Sequence, residues 1–190
     1  MQNEKLRIVI LVGSTREGRF GYVVAAWFER LARQRADMVF DVVDLAEAGL
    51  PAVMPAGSDP ATDAFAARID AADGFVVLTP EYNHSYPAAL KHAIDLARRE
   101  WFAKPVAFLS YGGVSGGLRA VEHLRGVFAE LHAPTVRETV SFHGAWEAFD
   151  EAGEPRDRRR PAAAARKLLD SLGWWAHTLR DGRRARPFVA

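Results

Sequence analysis

The chain has 190 residues, the length of one ordinary domain, and it is long enough to bury a hydrophobic core without a metal or a disulfide. Apolar residues make up 49% of it and charged residues 26%, which excludes a disordered chain. The net charge of +1 disfavours nucleic acid as a partner, and the absence of cysteine excludes disulfides, thiolate metal sites and cysteine nucleophiles.

Apolar runs and amphipathic segments alternate along the chain. The first, third and fourth runs are apolar almost throughout, which is typical of strands buried on both faces of a parallel sheet. Strands are predicted at residues 6–12, 39–45, 74–79, 105–109 and 136–142, and helices at residues 20–31, 63–72, 88–97, 121–131 and 162–179. This alternation predicts an α/β sandwich with a parallel sheet and right-handed crossovers.

The chain shows no linker long enough to separate domains, so residues 1–190 are expected to form a single domain, with roughly the last ten residues frayed. The apolar run at residues 8–12 is too short to cross a membrane, and no small-residue cleavage site follows it. We therefore expect a cytoplasmic protein with no membrane partner.

Three unusual loops follow the first, third and fourth predicted strands, at residues 13–19, 79–86 and 110–117. Open α/β sheets bind ligands outside the carboxyl ends of their strands, where the strand order reverses. In the five-strand order 2-1-3-4-5 these three strands are neighbours. The three loops are therefore expected to form one continuous rim.

The first loop has the composition of a phosphate site. Backbone N–H groups before a helix bind anions, Ser14 and Thr15 add hydroxyl donors, and Arg16 and Arg19 add charged ones. It is not a Walker loop, because Arg19 and Phe20 stand where that motif has Lys and Ser or Thr. A capped helix start with solvated arginines is the alternative at this point.

The other two loops offer an aromatic face and flexible backbone. Residues 80–83 read Pro-Glu-Tyr-Asn and supply a rigid turn, a carboxylate, a ring and an amide, which suits a planar heteroaromatic ligand. The alternative is a turn in which Asn83 caps the next helix. Four glycines within residues 110–117 would let backbone approach a ligand closely, or would serve only a tight strand-to-helix turn.

Taken together, Gly13-Ser14-x-Arg16, the Pro-Glu-Tyr-Asn loop and the glycine-rich loop resemble the NADPH-dependent FMN reductase family over roughly residues 6–142. The resemblance implies a flavodoxin-like fold, a doubly wound five-stranded parallel sheet of order 2-1-3-4-5 with helices on both faces. It also implies FMN as cofactor and NADPH or NADH as hydride donor. Members of the family are usually dimers or tetramers with flavin sites beside the subunit interface, so a homodimer or homotetramer is expected.

The resemblance also assigns roles within the loops. Ser14 and Arg16 would hold the FMN phosphate, residues 80–83 would line the ribityl chain and the isoalloxazine ring, and residues 110–113 would border the other edge of the ring. The full predicted set of cofactor-binding residues is Ser14, Thr15, Arg16, Arg19, Phe20, Gly21, Pro80, Glu81, Tyr82, Asn83, Ser110, Tyr111, Gly112 and Gly113. No catalytic side chain is predicted, because flavin itself carries the hydride step. No metal site is predicted, because the sequence has no His-Glu-x-x-His motif and no compact cluster of His and carboxylates.

Four positions depart from the pattern that is common in the family. Arg19 stands where many members have Ser, Gly21 where they have Asn, His84 where Gly is common, and Tyr111 where a smaller residue is frequent. These departures leave the preference for acceptor and for pyridine nucleotide open.

The predicted function is that of an NAD(P)H-dependent, FMN-containing reductase, which passes hydride from NAD(P)H to flavin and then to an acceptor. The acceptor would be a small molecule such as a quinone, an azo compound, free flavin or an oxidised metal ion.

Two alternatives remain at this point. One is a serine hydrolase that uses Ser115 in a Gly-x-Ser-x-Gly turn, with Asp150 and His177 completing a triad. The other is a non-enzymatic flavin electron carrier, although such carriers commonly have acidic docking surfaces that this near-neutral chain does not provide.

Overall fold

The computed structural model of the protein describes residues 4–189, and within them one sheet of five parallel strands has the order β2-β1-β3-β4-β5. The strands are β1 (Leu6–Val12), β2 (Met38–Asp44), β3 (Gly74–Pro80), β4 (Val106–Tyr111) and β5 (Thr135–Phe142). Val12 pairs with Asp44 on one side and with Leu78 on the other, so the central strands end almost level. The predicted flavodoxin-like sheet is confirmed.

Helices cover both faces of the sheet. They are α1 (Gly21–Ala32), α2 (Pro60–Asp70), α3 (Ala88–Asp95), α4 (Leu118–Glu130), the short α5 (Ala145–Ala148) and α6 (Arg159–Ala185), with a 3-10 turn at Arg99–Trp101. Buried residues of α1 and α6 share one core cluster, and those of α2, α3 and α4 share the other. Between residues 4 and 189, no helix combines the length and apolar character needed to cross a bilayer.

Strand β1 shows why the apolar runs predicted buried strands. Ile8 and Ile10 point into the core under α1 and α6, whereas Val9 and Leu11 point into the core on the opposite face. Burial of each such side chain contributes roughly 2 kcal/mol to stability. A strand with helices on both sides therefore needs apolar residues at every position.

Helix α6 is longer than the sequence predicts. It ends at Ala185 rather than at residue 179, and so extends into the segment that was expected to be frayed. Two arginines of its last turns are held by distant partners: Arg183 Nη1 donates to the carbonyl of Ala103 at 2.5 Å, and Arg184 Nη2 donates to Glu4 at 2.6 Å. These contacts, invisible in local sequence, order the last turns; Ala190 lies outside the described residues.

Candidate functional site

The three predicted loops lie side by side at the carboxyl edge of the sheet. The N–H of Gly13 donates to the carbonyl of Leu78 at 2.8 Å, which joins the end of β1 to β3. The N–H of Glu81 donates to the carbonyl of Tyr111 at 3.2 Å, which joins the end of β3 to β4. The predicted rim is therefore present, and the loops are connected through their backbones.

The first loop presents a row of free backbone donors. Within the described part of the chain, the N–H groups of residues 14–18 donate to no other protein group. They lie just before α1, where the helix dipole favours negative charge. Thr15 and Arg16 are exposed beside them. This arrangement can bind a phosphate through backbone, hydroxyl and guanidinium groups together.

Ser14 takes a different place from its neighbours. Its side chain is buried, with 1% of the residue exposed, and its Oγ lies 2.7 Å from the Tyr82 Oη. The hydroxyl that was predicted to face a phosphate thus connects the first loop to the second.

Arg19 is also engaged within the protein. Its guanidinium is paired with the carboxylate of Asp44, the last residue of β2, and both side chains are largely buried, at 18% and 17% exposed. Its Nε is buried and has no partner among residues 4–189. The phosphate role of Arg19 stays a prediction, and its charge is already paired with an acidic residue that the sequence does not single out.

Phe20 belongs to an aromatic cluster beside the rim. Its ring meets that of Phe149 edge-on at 5.4 Å and lies 6.2 Å from the ring of Tyr111. Phe149, which lies in the segment after β5, is itself buried. Phe20 thus supports the wall formed by Tyr111.

Two of the four departures from the family pattern are linked in space. A Cβ atom added at Gly21 would lie 2.9 Å from the Oη of Tyr111, so the tyrosine occupies room that a side chain at position 21 would need. Burial raises the pKa of the Tyr111 phenol, the nearby Tyr82 raises it further, and a hydrogen bond from Ser14 only partly offsets this. Tyr111 is therefore a neutral, packed wall.

The second loop contains a tight turn. Tyr82 and Ser85 exchange backbone hydrogen bonds of 2.8 and 3.0 Å, and Asn83 and His84 between them have φ angles of 48° and 72°. Two positive φ angles are the pattern of a type I′ turn, which favours Asn followed by Gly. Asn83 does not cap α3, because the position before that helix is Pro87 and no side chain caps it. That alternative is wrong.

The start of the second loop is buried. Pro80 is the last residue of β3 and pairs with Tyr111 of β4. The Glu81 side chain is 8% exposed, and its carboxylate accepts hydrogen bonds from Ser115 and Arg119. It therefore faces the third loop and α4 and does not stand free in the rim.

The glycines of the third loop divide into two groups. Gly116 and Gly117 have φ angles of 61° and 85°, and a Cβ at Gly117 would lie 2.7 Å from the Cβ of Ser110. Ser110 is buried and donates to the carbonyl of Gly116 at 2.9 Å. These residues serve the strand-to-helix turn.

Gly112 and Gly113 do not have the positive φ angles of that pair, and only Gly113 has open space beside it. A Cβ at Gly113 would meet nothing within 4 Å, whereas one at Gly112 would lie 3.3 Å from the N of Gly117. Gly113 therefore borders open space beside the rim.

The residues of the alternative hydrolase triad are not brought together. The Ser115 hydroxyl donates to Glu81, and Asp150 accepts backbone hydrogen bonds within its own turn. The ring of His177 lies 3.2 Å from Arg180, whose guanidinium binds the carbonyls of residues 4 and 5 at the amino end of β1. Ser115 follows the carboxyl end of β4, so the serine and the histidine lie at opposite ends of the sheet.

Comparison with known proteins agrees with this geometry. The sequence profile of the NADPH-dependent FMN reductase family matches residues 6–147. The chain belongs to this family. It is 35% identical over 141 residues to an NAD(P)H-dependent FMN reductase of Schizosaccharomyces pombe. That alignment covers 68% of this chain and 70% of the other protein.

The chain is also similar to a quinone reductase and to a flavoenzyme of known structure. A quinone reductase of Escherichia coli is 36% identical over 146 residues, covering 69% of this chain and 73% of that protein. The solved structure of FerB, a flavoenzyme NAD(P)H:(acceptor) oxidoreductase from Paracoccus denitrificans, superposes with a TM-score of 0.72 at 24% identity, covering 90% of this chain and 98% of that one. The last likeness shows the shared fold.

Proposed function

We propose that this NADPH-dependent FMN reductase family member binds FMN at the carboxyl edge of β1, β3 and β4 and reduces a small acceptor with electrons from NADPH or NADH. The observation that carries the proposal is the row of free N–H groups at residues 14–18 before α1. Free donors at this place suit a phosphate monoester. They lie in the same rim as the Pro-Glu-Tyr-Asn loop, so one ligand can reach both.

The phosphate would be held by this N–H row together with the Thr15 hydroxyl and the Arg16 guanidinium, both exposed. The buried Ser14 would act indirectly, because its Oγ lies 2.7 Å from the Tyr82 Oη and so positions the tyrosine ring. Arg19 contributes less, since Asp44 already neutralises it.

The flavin ring would lie between the second and third loops. Pro80 ends β3 and fixes the direction of the chain there, and Tyr82 and Asn83 follow it at the rim. Gly113 leaves open room on the other side because no atom lies within 4 Å of where its side chain would begin. Tyr111, buried behind the first loop, closes the base of the site.

Bound FMN would supply the redox chemistry by accepting hydride from a nicotinamide and passing electrons to the acceptor. The protein would bind and orient the two substrates, and no side chain is needed as acid or base in the first half-reaction. If both substrates use the same face of the site in turn, initial rates over a grid of both concentrations give parallel double-reciprocal lines. Intersecting lines would exclude a shared site.

A quinone is the acceptor that we favour, because a quinone reductase is among the similar proteins. An azo compound, free flavin and an oxidised metal ion are the other candidates, and turnover rates with each, at equal NADPH, would rank them. We also propose a homodimer or homotetramer. Trp146 and Trp174 are 65% and 62% exposed, which is unusual for such large apolar side chains in a single subunit.

The deciding experiment is the visible absorption spectrum of the purified protein, recorded before and after FMN is added and the sample is desalted. We expect flavin bands that survive desalting and that NADH or NADPH bleaches without oxygen. A protein that retains no FMN would contradict the proposed cofactor site. Flavin bands that neither nucleotide bleaches would instead favour a non-enzymatic electron carrier.

A further inference from the structure

A buried carboxylate lies between the second and third loops. Glu81 Oε2 accepts the Ser115 hydroxyl at 2.5 Å and the Arg119 N–H at 3.3 Å, and Oε1 accepts Arg119 Nη1 at 3.0 Å. Glu81 is the second residue of the Pro-Glu-Tyr-Asn sequence, Ser115 lies in the glycine-rich loop, and Arg119 is in the first turn of α4. One side chain thus joins three elements at the rim.

The charge of this carboxylate is retained. Burial by itself would raise the pKa of Glu81, but the hydrogen bonds from Ser115 and Arg119 outweigh burial and lower it. A buried carboxylate that keeps its charge needs a partner cation, and Arg119 supplies one while remaining half exposed itself.

The same contacts restrain the side of the third loop that faces the second. The opposite side is tied to the segment after β5, because the N–H of Gly144 donates to the carbonyl of Gly113 at 2.9 Å. Gly113 has no side chain, and Val114 is exposed. The hydrogen bond from Ser115 to Glu81 therefore connects residues 113–117 to the second loop through side chains.

From these contacts we propose that Ser115 and Arg119 are positioning residues that act through Glu81 to set the distance between the second and third loops. This role rests on the proposed function, in which these two loops form the two sides of the flavin ring site. The Gly-x-Ser-x-Gly sequence thus has a role that is neither nucleophilic catalysis nor a simple turn. Ser115 supplies a hydroxyl that holds a carboxylate, and Arg119 supplies the opposite charge.

The first test measures FMN affinity. Ser115→Ala removes the hydroxyl without adding volume, and we expect the dissociation constant for FMN, measured from the quenching of flavin fluorescence, to rise roughly tenfold, the effect of one charged hydrogen bond. Ser115→Thr keeps the hydroxyl and should restore most of the affinity. Glu122→Gln is the matched control on α4, because the Glu122 side chain is 71% exposed and pairs with Arg125 on the same helix.

The second test separates charge from loosened structure. Reduction adds negative charge to a flavin, so charges near the ring change its midpoint potential. Glu81→Gln removes a negative charge and should raise the midpoint potential of bound FMN, whereas Arg119→Gln removes a positive charge and should lower it. A purely structural disturbance would not shift the midpoint potentials of the two variants in opposite directions.

The outcomes distinguish this inference from the function on which it rests. If the unaltered protein does not bind FMN, the proposed function fails. If it binds FMN and both Ser115→Ala and Arg119→Gln bind as tightly, with unchanged midpoint potentials, the positioning network is overturned while the proposed function stands. Weaker binding by Ser115→Ala with rescue by threonine, and opposite shifts of potential, would support it.

Discussion

The different positions of Arg16 and Arg19 predict that these two arginines of the first loop have different roles. Arg16 is exposed beside the free N–H groups, whereas Arg19 is paired with Asp44. We therefore expect Arg16→Gln to weaken FMN binding with little effect on stability. We expect Arg19→Gln to destabilise the fold with a smaller effect on FMN binding.

The magnitudes follow from burial. Exposed ion pairs contribute at most about 1 kcal/mol, and removal of one partner from a fully buried pair costs about 3–5 kcal/mol. The Arg19 and Asp44 side chains are 18% and 17% exposed, so we expect a loss of about 2 kcal/mol for Arg19→Gln. In a protein of this size that loss lowers the melting temperature by roughly 4–8 °C.

For Arg16→Gln, loss of one charged hydrogen bond to a phosphate should raise the FMN dissociation constant roughly tenfold or more. Substitution of an exposed residue should change stability by less than about 0.5 kcal/mol.

Riboflavin supplies the control ligand, because it lacks the phosphate. Affinities for FMN and riboflavin would be measured by fluorescence quenching for both variants, and the free energies of unfolding by urea titration. Arg16→Gln should lose affinity for FMN but not for riboflavin, and Asp44→Asn should reproduce the destabilisation of Arg19→Gln. The reasoning would be refuted if Arg19→Gln kept its stability and lost FMN affinity selectively.

Three further predictions concern the turn, the glycines and a buried lysine. His84→Gly should stabilise the protein by about 1 kcal/mol in urea titrations, because His84 has a φ of 72°, and His84→Ala, which keeps the strain, should bring no gain. Gly117→Ala should destabilise the fold by about 1–3 kcal/mol or more, because Gly117 has a φ of 85° and the added Cβ would lie against Ser110. Gly113→Ala should leave the melting temperature unchanged and weaken FMN binding, because Gly113 borders open space. Burial lowers the pKa of Lys104 to about 8 from 10.5, so the unfolded state binds the proton more tightly than the folded state. The free energy of unfolding, measured by urea titration at several pH values, should therefore rise between about pH 8 and pH 10. Lys104→Met should abolish that rise, and an unchanged pH dependence in this variant would contradict the prediction.

The sequence by itself determined the fold class and the edge of the sheet at which we propose the site. Apolar runs such as residues 6–12 identify strands buried on both faces, since only such strands need apolar residues at every position. Once the strands alternate with helices, the loops after the first, third and fourth strands must share one edge. The helix boundaries depend on details that the apolar pattern does not carry. Helix α2 begins at Pro60 rather than at residue 63, because the Asp59 side chain caps it by accepting the Thr62 N–H at 2.8 Å.

Only the tertiary structure decided which partner each polar side chain of the rim has. Arg19 and Asp44 are 25 residues apart in the chain, and Glu81 and Ser115 are 34 apart. The fit of Tyr111 against Gly21 likewise joins β4 to the start of α1. Local pattern places such residues at an edge of the sheet, but the direction of a side chain and its partner depend on how separate elements pack. A charged residue in a loop that looked ready for a ligand can therefore already be neutralised by a neighbouring strand, as Arg19 is by the end of β2.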